Sequence, residues 1–361
     1  MRTITIKAAA LFALSMLFVL SASAAPRSPK PRAAARWSED RANAWYAAQP
    51  WLSGCNYIPS NAINQIEMWS RETYDRRQID KELGWAEELG FNTMRVFLSS
   101  VVYQHDPAGL KKRIGDFLDI CARHGIRPLF VFFDDCWAAE SHYGKQPAPI
   151  PGTHNSGWVC DPSKSLRTDT VTLYRNLSRY VKDIIAAHRN DKRVLMWDLF
   201  NEPTPESLAL LRKVYQWARE VNPSQPLTSG LSNFTAPFSA IDAFDFDNAD
   251  VITYHNYQDP ADQMRDITFL RAFNRPLICT EYMARPRNSK FTNIMPLLKE
   301  TNVGAVNWGF VSGKTNTIYA WGTPIPDGSE PKVWFHDIIR PDKTPFDPAE
   351  IEAIKKCNAK R

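Results

Sequence analysis

The chain has 361 residues, of which 44% are hydrophobic and 23% are charged, so it can bury a large core and lacks the composition of a disordered protein. Its formal charge of +5 does not indicate a nucleic-acid partner. Six basic residues and no acidic ones lie within residues 1–36, which leaves the rest of the chain near −1. That charge is too small for a phosphate-binding surface.

The N-terminal segment predicts export. Arg2 and Lys7 precede an apolar stretch over about residues 8–20, and the small residues Ala22 and Ala24 fit cleavage after Ala24. A membrane anchor is the alternative, but the stretch is shorter than the roughly 20 residues that a bilayer requires. We therefore expect a cleaved signal peptide, a disordered basic tether and a folded domain, over residues 1–24, 25–40 and 41–361.

Eight short apolar segments alternate with amphipathic helical stretches along the folded part. Gly90 and Gly125 follow two of the helical stretches, at the position where a left-handed cap is expected. Repeated strand–helix units predict a parallel sheet, and eight of them predict one closed (β/α)8 TIM barrel of the α/β class, with a doubly wound open sheet as the alternative. The candidate strands are residues 52–57, 93–98, 127–133, 194–200, 227–231, 251–257, 277–282 and 304–310.

Two long loops follow the third and the eighth candidate strand, at residues 134–162 and 312–334. Loops after barrel strands lie at the C-terminal face, where barrel enzymes build their active sites. Cys136 and Cys160 flank the first loop, so a disulfide between them is a candidate in an exported chain. The other cysteines in strand and helix patterns, Cys55, Cys121 and Cys279, are expected to be buried thiols.

Two glutamates end apolar strands that lie across the barrel mouth from one another. Glu202 follows the fourth strand in the motif Asn-Glu-Pro, and Glu281 ends the seventh. A glutamate in such a place is costly to bury unless it is paired or used. Glycoside hydrolysis requires two carboxyl groups, one as an acid and one facing the developing cation. The pair therefore predicts a glycosidase, although Asn-Glu-Pro also occurs by chance in strand-end turns.

From about Trp51 to the final helix, the sequence resembles the clan of retaining (β/α)8 glycosidases that includes the cellulase- and mannanase-like family 5 enzymes. The resemblance implies hydrolysis of O-glycosyl bonds in a β-glycan or oligosaccharide of the β-glucan, mannan or xylan type, with Glu202 as general acid/base and Glu281 as nucleophile. The residues that it further implies as substrate contacts, or as contacts of the nucleophile, are Arg95, Asn201, His255, Tyr257 and Trp308.

Physical reasoning supports these roles separately. A guanidinium beside Glu281 would favour its ionised form, and the charge of Glu281 would raise the pKa of Glu202 and keep it protonated. Each contact also has a plainer interpretation, because Arg95 could be a structural ion-pair partner, His255 a core histidine and Trp308 barrel packing.

Further substrate contacts are expected near the mouth. Asp134 and Asp135 follow the third strand, where many relatives carry a histidine, and could bind a sugar hydroxyl, cap a loop or hold calcium. Sugar binding is preferred, and Glu67 is another possible contact. Aromatic rings stack on pyranoses, so four loop tryptophans are candidate platforms, of which at most half are expected to serve: Trp69, Trp137, Trp158 and Trp321.

Two other classes of protein compete with the glycosidase hypothesis. A carbohydrate-binding barrel without activity would have no chemical need for both glutamates. A metal-dependent hydrolase would need clustered ligands, and only His255 of the seven histidines lies near a strand end. We therefore expect no metal and no cofactor. The expected partner is a carbohydrate, with neither nucleic acid nor membrane once the signal is cleaved, and the expected form is a periplasmic or secreted monomer.

Overall fold

Eight parallel strands close into a barrel in chain order, and the last strand pairs with the first. The computed structural model describes residues 34–232, 234 and 238–359. The predicted (β/α)8 barrel is confirmed, and each predicted strand is present within two residues at its start. The strands β1 to β8 cover Ser53–Asn56, Thr93–Phe97, Arg127–Val131, Met196–Asn201, Leu227–Leu231, Ile252–His255, Leu277–Glu281 and Gly304–Trp308.

Helices connect successive strands and surround the barrel, as the alternating sequence pattern predicts. The helices α1 to α11 cover Glu39–Ala47, Gln65–Trp69, Arg76–Glu88, Ser100–His105, Pro107–Arg123, Thr170–His188, Leu208–Val221, Ala240–Asn248, Pro260–Leu270, Ile294–Glu300 and Pro348–Asn358. Short 3-10 helices lie at Lys164–Thr168, Pro205–Ser207, Arg271–Phe273 and Arg285–Arg287. Among the described helices, none combines the length and the apolarity needed to cross a bilayer.

Helix α5 illustrates how local sequence sets these elements. Asp106 accepts a hydrogen bond from the backbone N–H of Gly109, and Pro107 occupies the first turn, where its missing N–H costs nothing. Helix α5 therefore begins three residues before Leu110, the first residue of its buried apolar face. Gly125 ends it at φ +66°, and Gly90 follows α3 at φ +77°, so both predicted left-handed caps are confirmed.

Residues 34–40 belong to the folded unit, which corrects the C-terminal part of the predicted tether. The Arg36 guanidinium donates to the carbonyl oxygens of Phe246 and Ala249, at 2.5 and 2.8 Å. Trp37 is buried, and its N–H donates to a carboxylate oxygen of Asp250 at 2.7 Å. These contacts order the segment because they satisfy buried polar groups at the N-terminal ends of the strands. The predicted signal peptide and the rest of the tether, up to residue 33, lie outside the described residues.

All six cysteines are free thiols, which corrects the predicted Cys136–Cys160 disulfide. The Cys160 thiol donates to the carbonyl oxygen of Cys136 at 3.4 Å, whereas the Cys136 thiol points towards the barrel mouth. The two sulfur atoms therefore serve different partners. Cys55, Cys121 and Cys279 are buried thiols, as predicted.

Candidate active site

Glu202 and Glu281 meet at the C-terminal end of the barrel. Glu281 is the last residue of β7, and Glu202 directly follows β4. One oxygen of each carboxylate lies within 4.8 Å of the other. Glu202 has a φ of +44°, a left-handed conformation that is costly for a side chain with a Cβ, and its N–H donates to the carbonyl oxygen of Gly230. The surrounding structure holds this strained residue in place, as is common at functional sites.

The Arg95 guanidinium lies fully buried beneath the two carboxylates. It donates to an oxygen of Glu281 at 2.7 Å, to Asn56 at 2.9 Å, to Asn201 at 2.6 Å and to Asp198 at 2.9 Å. The contact with Glu281 that the resemblance implies for Arg95 is present, and the ion pair with Asp198 agrees with the structural alternative. Because the guanidinium is fully buried and does not line the cavity, it has no surface for direct contact with a substrate. Arg95 instead sets the position of Glu281 and of the Asn201 side chain.

Two side chains at the end of β6 hold the carboxylates from the other side. The Tyr257 hydroxyl donates to Oε2 of Glu281 at 2.6 Å. The Nδ1 atom of His255 lies 2.7 Å from Oε1 of Glu202 and 3.5 Å from Oε2 of Glu281. Burial lowers the pKa of His255 to about 3, so its ring is neutral at neutral pH. His255 thus contributes a hydrogen bond to the pair rather than a charge.

The two glutamates differ in the interactions that counteract the effect of burial on their pKa. Burial raises the pKa of both carboxyl groups. At Glu281, the neutral ring of His255 supplies no charge and the charge of Glu202 adds to that rise, but the adjacent Arg95 guanidinium and the Tyr257 hydroxyl counteract it. Glu202 has a hydrogen bond from the Cys136 thiol and only the more distant charge of Arg95. This arrangement favours negative charge on Glu281 and a proton on Glu202.

A cavity of about 480 Å³ opens above the pair. Ten predicted residues line it: Asp134, Trp137, Trp158, Asn201, Glu202, His255, Tyr257, Glu281, Trp308 and Trp321. Glu202, His255 and Glu281 offer three ligand atoms within 4.8 Å of one another, and are the one group of this kind found among the described residues that could hold a metal ion.

Sequence reasoning missed other lining residues: Cys136, His154, Asn155, Ser232, Phe234, Asn256, Gln258, Arg265, Asp266 and Arg287. Most of them lie in loops without a periodic pattern. Only Cys136, Asn256 and Gln258 had a sequence signal, because each directly neighbours a residue that was predicted for the site.

Three of the four candidate tryptophans line the cavity, more than the half expected. Trp158 and Trp308 lie with ring centroids 5.7 Å apart, and Trp321 lies 4.8 Å from the ring of Tyr257. Trp69 is the exception and the prediction for it is wrong, because its ring is fully buried against Phe117. Its aromatic surface belongs to the core.

The adjacent residues Asp134 and Asp135 have different environments. Asp134 accepts hydrogen bonds from Trp158 and Asn201 at 2.7 and 2.9 Å, and burial raises its pKa to about 6. Asp134 also accepts from the N–H of Cys136 and so caps its own loop, as one of the alternatives predicted. It lines the cavity as well. The substrate contact predicted for Asp135 is wrong, because its buried carboxylate pairs with Arg167 at 2.6 Å.

Glu67 is also not a lining residue, which corrects its predicted role. Its carboxylate accepts from the N–H of Ile63 at 2.7 Å and pairs with the ammonium group of Lys314 at 2.6 Å. Both partners belong to loops beside the mouth. Glu67 therefore joins two loops rather than binding a ligand.

The barrel and its paired carboxylates define a glycoside hydrolase of the (β/α)8 class. The family model described as glycosyl hydrolases family 2, TIM barrel domain, matches residues 115–315, and the chain belongs to this family. A search of curated proteins by sequence found no match.

Solved structures similar to this chain carry the same barrel. An exo-β-1,4-mannosidase from Opitutaceae bacterium strain TAV5 shares 18% identity at a TM-score of 0.60, covering 86% of this chain and 59% of that one. The chain thus spans less than two thirds of that protein. A glycoside hydrolase family 5 mannosidase from Rhizomucor miehei shares 16% identity at a TM-score of 0.52, covering 86% and 93%. GH5_18 from Streptomyces cattleya shares 15% identity at a TM-score of 0.57, covering 86% and 80%.

Proposed function

We propose that the protein is a retaining β-glycosidase in which Glu281 is the nucleophile and Glu202 is the general acid/base. The observation that carries the proposal is the short gap between the carboxylates, whose nearest ligand atoms lie within 4.8 Å. Retaining enzymes hold their carboxyl groups about 5–5.5 Å apart, whereas inverting enzymes leave room for a water at about 6.5–9.5 Å. The gap in this barrel suits direct attack by a carboxylate.

In the first step, Glu202 donates its proton to the glycosidic oxygen while Glu281 attacks the anomeric carbon. The bond to the leaving group breaks, and a covalent glycosyl-enzyme forms with Glu281. Arg95 and Tyr257 hold the two oxygens of Glu281, at 2.7 and 2.6 Å, so little reorientation is needed before attack. The resemblance to retaining glycosidases assigns Asn201, whose side-chain oxygen accepts from Arg95, to the sugar 2-hydroxyl.

In the second step, Glu281 is uncharged because its carboxylate has formed an ester bond with the sugar. The pKa of Glu202 then falls, because a neighbouring negative charge no longer opposes its ionisation. Glu202 takes a proton from water, the resulting hydroxide attacks the anomeric carbon, and Glu281 leaves. The sugar is released with its original anomeric configuration.

The proposed substrate is a β-glycan or oligosaccharide of the β-glucan, mannan or xylan type. Several similar structures are named mannosidases or mannanases, so β-mannosides are the first substrates to test. Trp158 and Trp308 line the cavity together with the carboxylates. Pyranose rings stack on aromatic side chains, so these residues support a sugar substrate.

We also propose that the protein is exported to the periplasm or the medium as a monomer after cleavage behind Ala24. Arg2, Lys7 and the apolar stretch over about residues 8–20 support this proposal. Expression of the full chain in a bacterial host, followed by N-terminal sequencing of the exported protein, would test it. A mature protein that begins with Met1 would contradict the proposal.

The test of the catalytic proposal is hydrolysis of a panel of aryl β-glycosides and β-glycans by the mature chain. Glu202→Ala and Glu281→Ala are measured beside it, with azide as an external nucleophile. We expect both variants to fail, and azide to rescue Glu281→Ala as a glycosyl azide of inverted configuration. Circular dichroism of both variants is the control for folding.

Other outcomes assign other functions. If the wild type binds glycans and cleaves none, the protein is a carbohydrate-binding barrel. If a chelator abolishes hydrolysis and a divalent cation restores it, Glu202, His255 and Glu281 are instead metal ligands. If both variants keep full activity, the two-glutamate mechanism is wrong.

A further inference from the structure

Two arginines line the cavity on the side formed by the loops after β6 and β7. They are Arg265, in α9, and Arg287, at the end of the 3-10 helix Arg285–Arg287, and both are exposed. The two histidines in the lining, His154 and His255, are uncharged at neutral pH, because burial lowers their pKa values to about 4 and about 3. Among the described residues, the positive charge of the lining therefore comes from the two guanidinium groups.

The two guanidinium groups differ in their partners. Arg265 forms ion pairs with Asp262 and, at 3.9 Å, with Asp266, so its charge is balanced. The Arg287 side chain has neither an ion pair nor a hydrogen bond within the part of the chain that the structure describes, and its guanidinium carbon lies 4.9 Å from the centroid of the Trp321 ring. Arg287 is thus a cation of the cavity lining without a counter-charge among those residues.

The backbone that carries Arg287 is held firmly. The buried guanidinium of Arg285, two residues earlier, pairs with Glu350 at 2.6 Å. It also donates to the carbonyl oxygens of Trp334 and Asp337, at 3.0 and 2.9 Å. Arg287 therefore extends from an anchored turn, which fixes the origin of its exposed side chain beside the cavity.

The Trp321 ring supports the guanidinium of Arg287. The centroid of this ring lies 4.8 Å from that of Tyr257 and 4.9 Å from that of Phe335. A guanidinium over an aromatic ring is attracted through its face and keeps its N–H donors at its edge. The donors of Arg287 therefore remain available to a ligand, while the packed ring holds the group in position.

The order of contacts places such a ligand relative to the reaction. Arg287 contacts Trp321, the Trp321 ring contacts Tyr257, and the Tyr257 hydroxyl donates to Glu281 at 2.6 Å. Two aromatic side chains thus lie between the guanidinium and the nucleophile. An anion bound by Arg287 is separated from the charge of Glu281 and belongs to a sugar beside the one that is attacked.

The chemistry of a guanidinium narrows the choice of anion. Its planar fork of donors matches the two oxygens of a carboxylate, with which it forms two parallel hydrogen bonds. Among sugars, the carboxylate group is that of the uronic acids. A neutral sugar offers hydroxyl groups alone, which leave the positive charge of a guanidinium unbalanced.

We propose that the substrate is acidic and that Arg287 binds the carboxylate of a uronic acid residue next to the sugar that is cleaved. This inference rests on the proposed function and names the class of its substrate. The carboxylate supplies the counter-charge that Arg287 lacks among the described residues, and Trp321 holds the guanidinium that receives it.

The test uses acidic oligosaccharides of the β-glucan, mannan and xylan type, each bearing a uronic acid residue. Each compound is paired with its own form in which the carboxyl group has been reduced to an alcohol. At low salt we expect kcat/KM to be about 10-fold or more higher for at least one acidic member than for its reduced partner, through a lower KM. The ratio should fall in about 1 M sodium chloride, because salt screens an exposed ion pair.

Two variants assign this preference to Arg287. In Arg287→Ala the ratio within the pair should approach one, and in Arg287→Lys, which keeps the charge and loses the fork, it should be intermediate. The control is Arg77→Ala, which removes an exposed arginine of α3 and should keep the ratio of the wild type. Equal kcat/KM values within every pair, or a preference that survives in Arg287→Ala, would overturn the inference and leave the proposed function intact.

Failure of the proposed function has a different signature. If the wild type cleaves neither these oligosaccharides nor any aryl glycoside, the dissociation constants of the same pairs decide the inference. Tighter binding of an acidic member that is lost in Arg287→Ala would support an acidic ligand, whereas equal binding within every pair would overturn it.

Discussion

The two ends of the barrel use buried charge in opposite ways. At the floor, below the N-terminal ends of the strands, Asp250 receives two donors on each oxygen: Arg219 and the N–H of Trp37 on one, Arg219 and the N–H of Leu227 on the other. At the mouth, Glu202 is partly exposed and the Nε2 atom of His154 has no partner among the described residues.

This difference separates stability from function. A fully paired buried charge has no capacity left for a ligand, so the floor can only hold the fold together. At the mouth, burial raises the pKa of Glu202 and of Glu281, which costs free energy in the empty protein and serves the proposed chemistry. Substitutions at the two ends should therefore affect different measurements.

The largest expected effect is on activity at the mouth. Glu281→Gln should lower kcat/KM by about 10⁴-fold or more, because the amide cannot attack the sugar. The free energy of unfolding should change by less than about 1 kcal/mol, since the amide keeps an acceptor for Arg95 and no longer buries a charge. Hydrolysis of an aryl glycoside and urea unfolding measure the two quantities. A large loss of stability would place Glu281 with the floor residues.

The matching effect at the floor is on stability. Asp250→Ala should lower the free energy of unfolding by about 3–5 kcal/mol, because Arg219 would remain buried without its counter-charge. The folded fraction should retain the kcat/KM of the wild type. Glu88→Ala, which removes an exposed pair with Lys343, is the control and should change stability far less. Loss of activity in folded Asp250→Ala would show that the ends are coupled.

Two glycines permit a smaller, matched comparison. A Cβ at Gly230 would lie 2.9 Å from Nε2 of His255 and 3.0 Å from Nη2 of Arg95, so Gly230→Ala should displace both and lower kcat/KM by about 10- to 100-fold. A Cβ at Gly304, at the floor end of β8, would have its three nearest atoms in the side chain of Ile278, the first at 3.0 Å. Gly304→Ala should cost some stability by overpacking and leave kcat/KM unchanged. Equal losses of activity would contradict this distinction.

The smallest expected effect is on pH dependence. The Cys136 thiol lies 3.2 Å from Oε2 of Glu202 and favours its ionised form, which lowers its pKa. Cys136→Ala should therefore raise that pKa. Because the acid must be protonated, activity is lost as pH rises through this pKa, and the alkaline limb of kcat/KM should move to higher pH by a fraction of a unit.

Cys136→Ser keeps a donor and is the control for this prediction. Its alkaline limb should stay close to that of the wild type. A shift of the alanine variant to lower pH would contradict the assigned role of the thiol.

Much of the fold could be predicted because its signals are local. Apolar strands, an amphipathic stripe such as that of α5 and the capping glycines Gly90 and Gly125 are each read within a dozen residues. The same holds for the glutamates, because a charged residue at the end of a buried strand faces the mouth of any closed barrel.

The rest of the site depends on partners that are distant in the chain. Asp134 lines the cavity and Asp135 does not, because Arg167 pairs with the second carboxylate. Trp69 and Trp321 both looked like loop aromatics, yet Trp69 packs in the core and Trp321 lines the cavity. No feature of the local sequence separates these cases.

Local sequence is sufficient to predict the barrel and its paired carboxylates, because periodic apolar patterns and strand-end charges are encoded by neighbouring residues. The position of Arg95 beneath the site and that of Glu67 between two loops follow only from the folded chain. Such side chains take their positions from contacts between residues far apart in sequence, which no local pattern records.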